Sequence, residues 1–418
     1  MLRSDGEGRH RLLRMRIGLH QRAGTVAVLG SAQTLSWAST YYLPAMLAAP
    51  MARDLGVSTP TVFAAFSAAL MVSALTGPYA GRTIDKRGGR PVLMATNVVF
   101  ALGLAMLGLA DGALGLFVAW VVLGLGMGSG LYEAAFATLV RLHGRDSRNL
   151  ITGITLIAGF ASTVGWPLTT LLEAQFGWRG ACFAWAALQL LLGLPLNALL
   201  PGVERADPGP APAPAPAAKG GEVASQGTLR TAVLLSLMFA ATGFISTAMA
   251  SHFPRLLQAA GATLATAVAV GALIGPAQVA ARLMEFGFLR RVHPVWSARF
   301  AVALHPLGVG VLLVVGAPAA AVFGLLHGAG NGILTIAKGT LPLELFGAHG
   351  YGRRQGLLVA PARVAHALAP WLFGVCLDRW GADALWLSAG LGAVALATLF
   401  LLPHRHPAAQ GASAASSV

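Results

Sequence analysis

Apolar residues run along this chain in blocks of roughly twenty or more, divided by short polar, glycine-rich and proline-rich breaks. A helix of about 20 apolar residues is long enough to cross the hydrocarbon of a bilayer. The pattern predicts spans 1 to 6 at 25–50, 59–82, 91–110, 113–140, 150–172 and 180–200. Spans 7 to 12 are predicted at 231–254, 263–286, 297–316, 319–346, 355–376 and 383–402. Span 2 opens on Ser58-Thr59-Pro60, a helix-start signal. Residues 1–24 form a basic tail. The apolar run after it reaches Pro50, too long for the core of a cleaved signal peptide. Residues 201–230 hold alternating Ala-Pro and then Lys219-Gly220-Gly221, an extended linker with nothing to bury. The expected organisation is an N-tail, a bundle at 25–200, the linker, a bundle at 231–402 and a tail at 403–418.

Composition agrees with lipid as the solvent. Of 418 residues, 56% are hydrophobic and only 11% charged, against about 25% charged in soluble domains. The net charge of +14 does not point to nucleic acid, because the cations sit in short clusters between apolar runs without interleaved aromatics. Twenty-two of the 29 Lys and Arg fall on the side of the tails, the linker and the even-to-odd loops. Four, Arg53, Arg179, Arg255 and Arg379, fall on the other side. This imbalance places both termini in the cytoplasm, in a multi-pass protein of the plasma (inner) membrane. Cys182 and Cys376 lie in apolar runs and read as small buried hydrophobes. No zinc spacing, phosphate loop or nucleophile elbow is present, so neither an enzyme nor a bound cofactor is expected.

The two halves echo one another. Gly81-Arg82-x2-Asp85 returns as Ala281-Arg282-x2-Glu285, and Arg90 as Arg290. Gly128-x-Gly130 returns as Gly330-x-Gly332, and Trp166-Pro167 returns reordered as Pro370-Trp371. Phe176-Gly177-Trp178 is answered by Trp380-Gly381. The expected fold is an all-α membrane protein with twelve transmembrane helices in two pseudo-symmetric six-helix bundles. Transporters built from such repeats bind substrate near the midplane between the halves.

The loop between spans 2 and 3 carries Gly77, Gly81, Arg82, Asp85, Gly88 or Gly89, and Arg90, on the pattern Gly-x3-Gly-Arg-x2-Asp-x-(x)-Gly-x-Arg. With these residues the chain resembles the major facilitator superfamily, as a bacterial-type twelve-helix permease. The resemblance implies a latch in which Asp85 docks near Gly352–Gln355, between Arg353 and Arg354. It also implies a cavity lined by spans 1, 4, 7 and 10, and it places Arg82, Arg90, Arg282, Glu285 and Arg290 with Asp85 in the gate. The rows Gly124-x-Gly126-x-Gly128-x-Gly130 and Gly328-x-Gly330 read first as close-packing devices. Drug antiporters of the superfamily carry an Arg early in span 4 and a Gly-Pro motif in span 5; this chain lacks the first and only approximates the second. Its long span 1, Glu133 and Phe176-Gly177-Trp178-Arg179 look more like the monocarboxylate and oxalate–formate branches.

Ionisable groups inside spans are costly and mark candidate sites. Glu133 in span 4, Lys338 in span 10, and Arg363 and His366 in span 11 are such groups. Two readings stand. One is a structural ion pair lining a wet cavity; the other has Glu133 exchange a proton while Lys338 or Arg363 attracts an anion. Gln33, Trp37 and Tyr41 are four apart on one face of span 1 and suit a cavity wall, or an interfacial anchor. Asn331, Thr242 and Ser246 add polar groups, while His252, His305 and His327 suit hydrogen-bonded interior positions as well as a transport role. The expected function is a proton-coupled secondary transporter of a small organic anion such as a carboxylate, acting as a monomer by alternating access. The alternatives are an efflux antiporter for drugs or toxic metalloid or organic compounds, and a receptor with a transporter fold.

The charge bias yields a direct test of orientation. In a chain without its native cysteines, Ala215→Cys and Gln410→Cys should stay unlabelled by an impermeant maleimide added to intact cells and react after lysis. Labelling from outside would reverse the assigned orientation.

Overall fold

The computed structural model describes residues 4–143, 147–202, 226–287, 292–346 and 351–402. The described chain is helical throughout: α1 (Ser4–Ser39), α2 (Pro44–Asp54), α3 (Thr59–Arg87), α4 (Gly89–Gly108) and α5 (Gly112–Gly130). Then come α6 (Tyr132–His143), α7 (Ser147–Ala158), α8 (Ala161–Leu188) and α9 (Leu194–Ala198), and α10 (Gln226–Ala259), α11 (Leu264–Gly287) and α12 (Pro294–Val315). The last are α13 (Ala320–Phe346), α14 (Tyr351–Trp380) and α15 (Leu385–Phe400). Nine helical runs among the described residues are long and apolar enough to cross a membrane. Two of these, Leu150–Ala198 and Pro361–Phe400, each contain two predicted spans, and α1 with α2 supplies the twelfth. Large apolar side chains on the outer surface, such as Val314 at 86% exposure and Leu191 at 77%, suit lipid contact.

Several predicted spans are interrupted. Span 1 breaks at residues 40–43, and the helix restarts at Pro44, whose missing N–H costs nothing at a first helical position. Span 4 breaks at Leu131, whose backbone is extended (φ −87°, ψ −162°). Span 5 breaks at Gly159 and Phe160. Spans 5 and 6 join through Gly177, with φ 69° and ψ 173°. The linker and C-tail lie largely outside the described residues, as does Arg290.

The turns at the end of the molecule away from the α3–α4 turn expose the internal repeat. Glycines with positive φ occupy the matching turns of both halves: Gly56 and Gly261, Gly112 and Gly316, Gly177 and Gly381. Each pair is separated by 204 or 205 residues, so the same backbone problem is solved by the same residue in each half. The glycine rows also repeat their packing. Gly124 and Gly128 abut α3 at Ala69 and Ser73, and Gly126 and Gly130 abut α4 at Phe100 and Thr96. In α13, Gly328 and Gly332 abut α11 at Ile274 and Gln278, and Gly330 abuts α12 at Ala301. Close approach is needed at Gly89, where an added Cβ would meet Thr138, but not at Gly81, which has open space.

The core divides unevenly. At the end carrying the basic α3–α4 turn, Leu29, Ile84, Leu93 and Leu139 form a core of the first half. Leu235, Phe239, Val302 and Leu341 form a separate core of the second half. At the opposite end one cluster joins the halves, placing Trp166, with Tyr42 and Met46, among Phe253, Phe323 and Phe373. The molecule is sealed at that end and divided at the basic end.

Gly177→Ala should lower the melting temperature in detergent, since a non-glycine residue in this region of φ and ψ costs about 1–3 kcal/mol. Gly81→Ala, in open space inside α3, should not lower it, since alanine is favoured over glycine within a helix.

Candidate functional site

Between the halves lies a cavity of about 490 Å³. The first half contributes Trp37, Tyr41, Tyr42, Gly77, Tyr132, Glu133 and Trp166; the second contributes Ser246, Arg282, His327, Asn331, Lys338, Arg363 and His366. Its floor is the joined core. There Tyr41 Oη donates to Thr247 Oγ1 at 2.9 Å. Trp166 stacks on Phe253 with ring centroids 6.1 Å apart, and Phe63 packs on His252 at 3.9 Å. Trp37 bridges Tyr41 and Tyr132, each at 4.8 Å. Glu133 and Arg363 are exposed, which puts the mouth toward the basic end.

The break at Leu131 shapes the first-half wall. It ends α5 and starts α6 at Tyr132, so Glu133 falls in the first turn of α6, where the helix dipole favours a carboxylate. The break frees carbonyls that would be costly unbonded in an apolar setting. Gln33 Nε2 donates to Gly130 O at 2.7 Å and Thr96 Oγ1 to Ser129 O at 3.2 Å. The second break, after α7, keeps its carbonyls bonded within the turn: Gly159 N–H donates to Thr155 O at 3.0 Å and Phe160 N–H to Ile157 O at 3.1 Å, with Thr34 Oγ1 3.3 Å from the same Ile157 O. Arg282 donates to Thr155 O in the last turn of α7, and to Gln278 Oε1 at 3.2 Å. A cation at a helix C-terminus also opposes the helix dipole.

This arrangement corrects several expectations. Gln33 is buried behind the wall as a staple and is absent from the cavity lining, because its amide is spent on the freed carbonyl. Glu133 is open to the cavity rather than screened from water, because the helix restarts beside it. Among the described residues no ion pair joins it to Arg363. Arg282, which the repeat match to Arg82 groups with the gate, is 6% exposed in the cavity wall and bonds across the halves.

The remaining candidates fall as follows. Trp37, Tyr41, Asn331, Lys338, Arg363 and His366 line the cavity. Asn331 Oδ1 accepts from Ser246 Oγ at 3.0 Å. His366 packs against Gly243, where an added Cβ would come within 2.1 Å of Nε2, so only glycine fits. Arg82 lies over the Tyr79 ring at 4.6 Å; Asp85 and Arg90 are exposed, and Glu285 is half-buried. The side chains of Arg353, Arg354 and Gln355 lie outside the described set, so the latch partner of Asp85 does too. Away from the mouth, Arg179 binds Asp54 at 2.9 Å and donates to Gly108 O and Ala110 O, capping α4.

Two repeated six-helix halves around a shared, charged cavity in a multi-pass membrane protein define a transporter rather than an enzyme. The sequence matches the family profile of the Major Facilitator Superfamily over residues 29–315, and the chain belongs to that superfamily. It is 30% identical to human monocarboxylate transporter 11 over 333 residues, 75% of this chain and 68% of that protein. It is 28% identical to the multidrug resistance protein MdtL of Klebsiella pneumoniae, over 34% of this chain and 37% of the relative. It is 29% identical to the oxalate:formate antiporter of Oxalobacter formigenes, over 36% of this chain and 35% of the relative. The fold resembles that of the nucleoside transporter NupG, with a TM-score of 0.72 at 13% identity, over 92% of this chain and 100% of that one.

Gln33→Leu leaves the Gly130 carbonyl without its partner, which costs about 1–3 kcal/mol for a buried group. The variant should melt at a lower temperature than the parent, and Ser31→Ala, exposed on the same helix, should not. Equal melting of all three would deny Gln33 its stapling role.

Proposed function

We propose that this protein is a secondary active transporter of a small organic anion, a carboxylate, coupled to protons and working by alternating access. The observation that carries the reading is the charge of the cavity wall. Arg282, Lys338 and Arg363 stand against one lining carboxylate, Glu133. All three cations belong to the second half and the acid to the first. An anion would bind against the second half, with Glu133 repelling it from the opposite wall. Similarity to a monocarboxylate transporter and an oxalate:formate antiporter supports the same substrate class.

With the basic end in the cytoplasm, the conformation described is the inward-open one. Asp85 is exposed in it, which supports a latch that is released in this state and engages when the cavity faces outward. The aromatic seal, with Tyr41, Trp166, Phe253 and the Phe63–His252 pair, would then have to part. The second reading, efflux of aromatic or amphipathic compounds, draws on the likeness to MdtL and on the Trp37, Tyr41, Tyr42 and Tyr132 wall. A cavity with three cations disfavours cationic drugs.

Purified protein in liposomes, offered labelled mono- and dicarboxylates and cationic dyes under a pH gradient, decides between these readings. Carboxylate uptake is expected. Lys338→Ala should raise the half-saturating concentration about tenfold or more, as loss of a hydrogen bond to a charged group is worth about 1.5–3 kcal/mol. Dye transport without carboxylate transport would sink the anion reading.

A further inference from the structure

Behind the second-half wall lies a separate pocket of about 20 Å³. Ser246, His327 and Asn331 line both this pocket and the main cavity, and so form the partition between them. The Ser246–Asn331 hydrogen bond crosses that partition at 3.0 Å. At the back stands His305 of α12, with its Nδ1 3.0 Å from Nδ1 of His327 on α13. Both rings are buried, and they meet edge to face with centroids 5.0 Å apart. His305 Nε2 is buried with no hydrogen-bond partner among the described residues. The pocket is large enough for one water, which needs about 10–15 Å³ and polar neighbours.

The geometry restricts the protons. Two imidazoles joined Nδ1 to Nδ1 need one N–H and one lone pair on that axis. The neutral pair therefore holds two protons, one on the axis and one on the outer nitrogen of the accepting ring. A third proton can add to the lone pair on the outer nitrogen of the donating ring. The axial bond survives this step, because an imidazolium still donates from Nδ1. A fourth proton would set N–H against N–H. The pair can thus store one extra proton. Phe253 and Phe323 flank the pair, 6.3 Å from His327 and 5.7 Å from His305.

Among the described residues no other titratable side chain lines the small pocket; α10 presents Thr242 and Ser246 there, and α15 presents Gly392. Across the main cavity His327 faces the cations Arg282, Lys338 and Arg363, the carboxylate of Glu133, His366, and the tyrosines 41, 42 and 132. Three cations oppose a charged histidine pair until an anion sits among them.

We propose that the His305–His327 pair is the site that carries the transported proton. The proton enters from cavity water through His327 and adds to a ring lone pair. An anion bound among the three cations removes their repulsion, so proton and anion favour each other's binding by the same factor. The proposal rests on the anion reading above but names the carrier. It moves that role away from Glu133, which is exposed to the cavity.

The test has two arms on the full-length protein. The first counts protons taken up by detergent-purified protein on a jump from pH 8 to pH 5, read with a pH dye in the presence of formate. His305→Gln, His327→Gln and the double variant should each take up one proton fewer than the parent, the same one in all three. His305→Asn is the second variant, should the glutamine one fail to elute as a single species. No loss, or a loss of two in the double variant, overturns the shared site. The second arm measures labelled acetate, formate and oxalate in liposomes. The histidine variants should exchange anion across the membrane yet fail to accumulate it under a pH gradient, while Ser31→Ala, exposed on α1 and away from the cavity, still accumulates. Histidine variants that accumulate anion as the parent does overturn the proposal. Failure of the anion reading shows separately, as parent liposomes that take up none of the three anions. The proton count then stands by itself: one shared proton supports the site, and none or two overturns it.

Discussion

Backbone polar groups cannot be left unbonded in an apolar interior, and this constraint organises the molecule. The first half interrupts three of its predicted spans, at residues 40–43, at Leu131 and at Gly159–Phe160. The break at Leu131 frees the Gly130 carbonyl, and α1 answers it through Gln33. At Gly159–Phe160 the turn bonds its own carbonyls, Gly159 N–H to Thr155 O and Phe160 N–H to Ile157 O. Arg282 reaches across from the second half to Thr155. The same breaks form the cavity wall, since Leu131, Tyr132, Glu133, Ala158 and Gly159 all line it. Irregular backbone at membrane depth is tolerated where it lines a cavity, and here both conditions hold together: a wet side that accepts it and a dry side that bonds it.

The interface between the halves has unequal ends. At one end aromatic side chains from both halves form a continuous core around Trp166 and Phe253. At the basic end each half keeps its own core. Contacts along one flank persist over much of its length, from Thr163 Oγ1 on Ala272 O at 2.7 Å to Arg282 on the Thr155 carbonyl. Such a flank can act as the axis about which two rigid halves turn, with the aromatic seal as the part that must open. Arg282 belongs both to that flank and to the cavity lining, so a ligand that drew its guanidinium inward would loosen a contact between the halves.

Repetition is visible at two levels. The matched glycines in the three outer turns of each half show a shared backbone path. The matched faces of the glycine rows show shared helix packing. Chemistry does not repeat: the cations of the cavity are in the second half and its carboxylate in the first. The buried network of Asn97, Gln189 and Asn197 is likewise confined to the first half. The scaffold is duplicated, and the site is made where the copies diverge.

The class of protein and most of its span boundaries were written in the sequence, because lipid demands long apolar runs and the chain cannot hide them. The internal repeat was legible for the same reason: turns and close-packed helices need glycine at particular places. Lys338, Arg363, His366, Asn331, Trp37 and Tyr41 could be picked out because a polar group in an apolar run stands apart, whatever surrounds it. Tertiary structure decided where each of them faces. Gln33 shares a helical face with Trp37 and Tyr41, yet it turns to a carbonyl freed by a break in another helix, which no local pattern announces. Arg282 matched Arg82 in register but sits in a wall, because its partner is the end of α7, some 130 residues earlier. His305 and His327 were two unremarkable interior histidines until α12 and α13 packed and brought their nitrogens to 3.0 Å. Periodicity reports which residues a helix buries, while only the packing of distant helices reports against what they are buried.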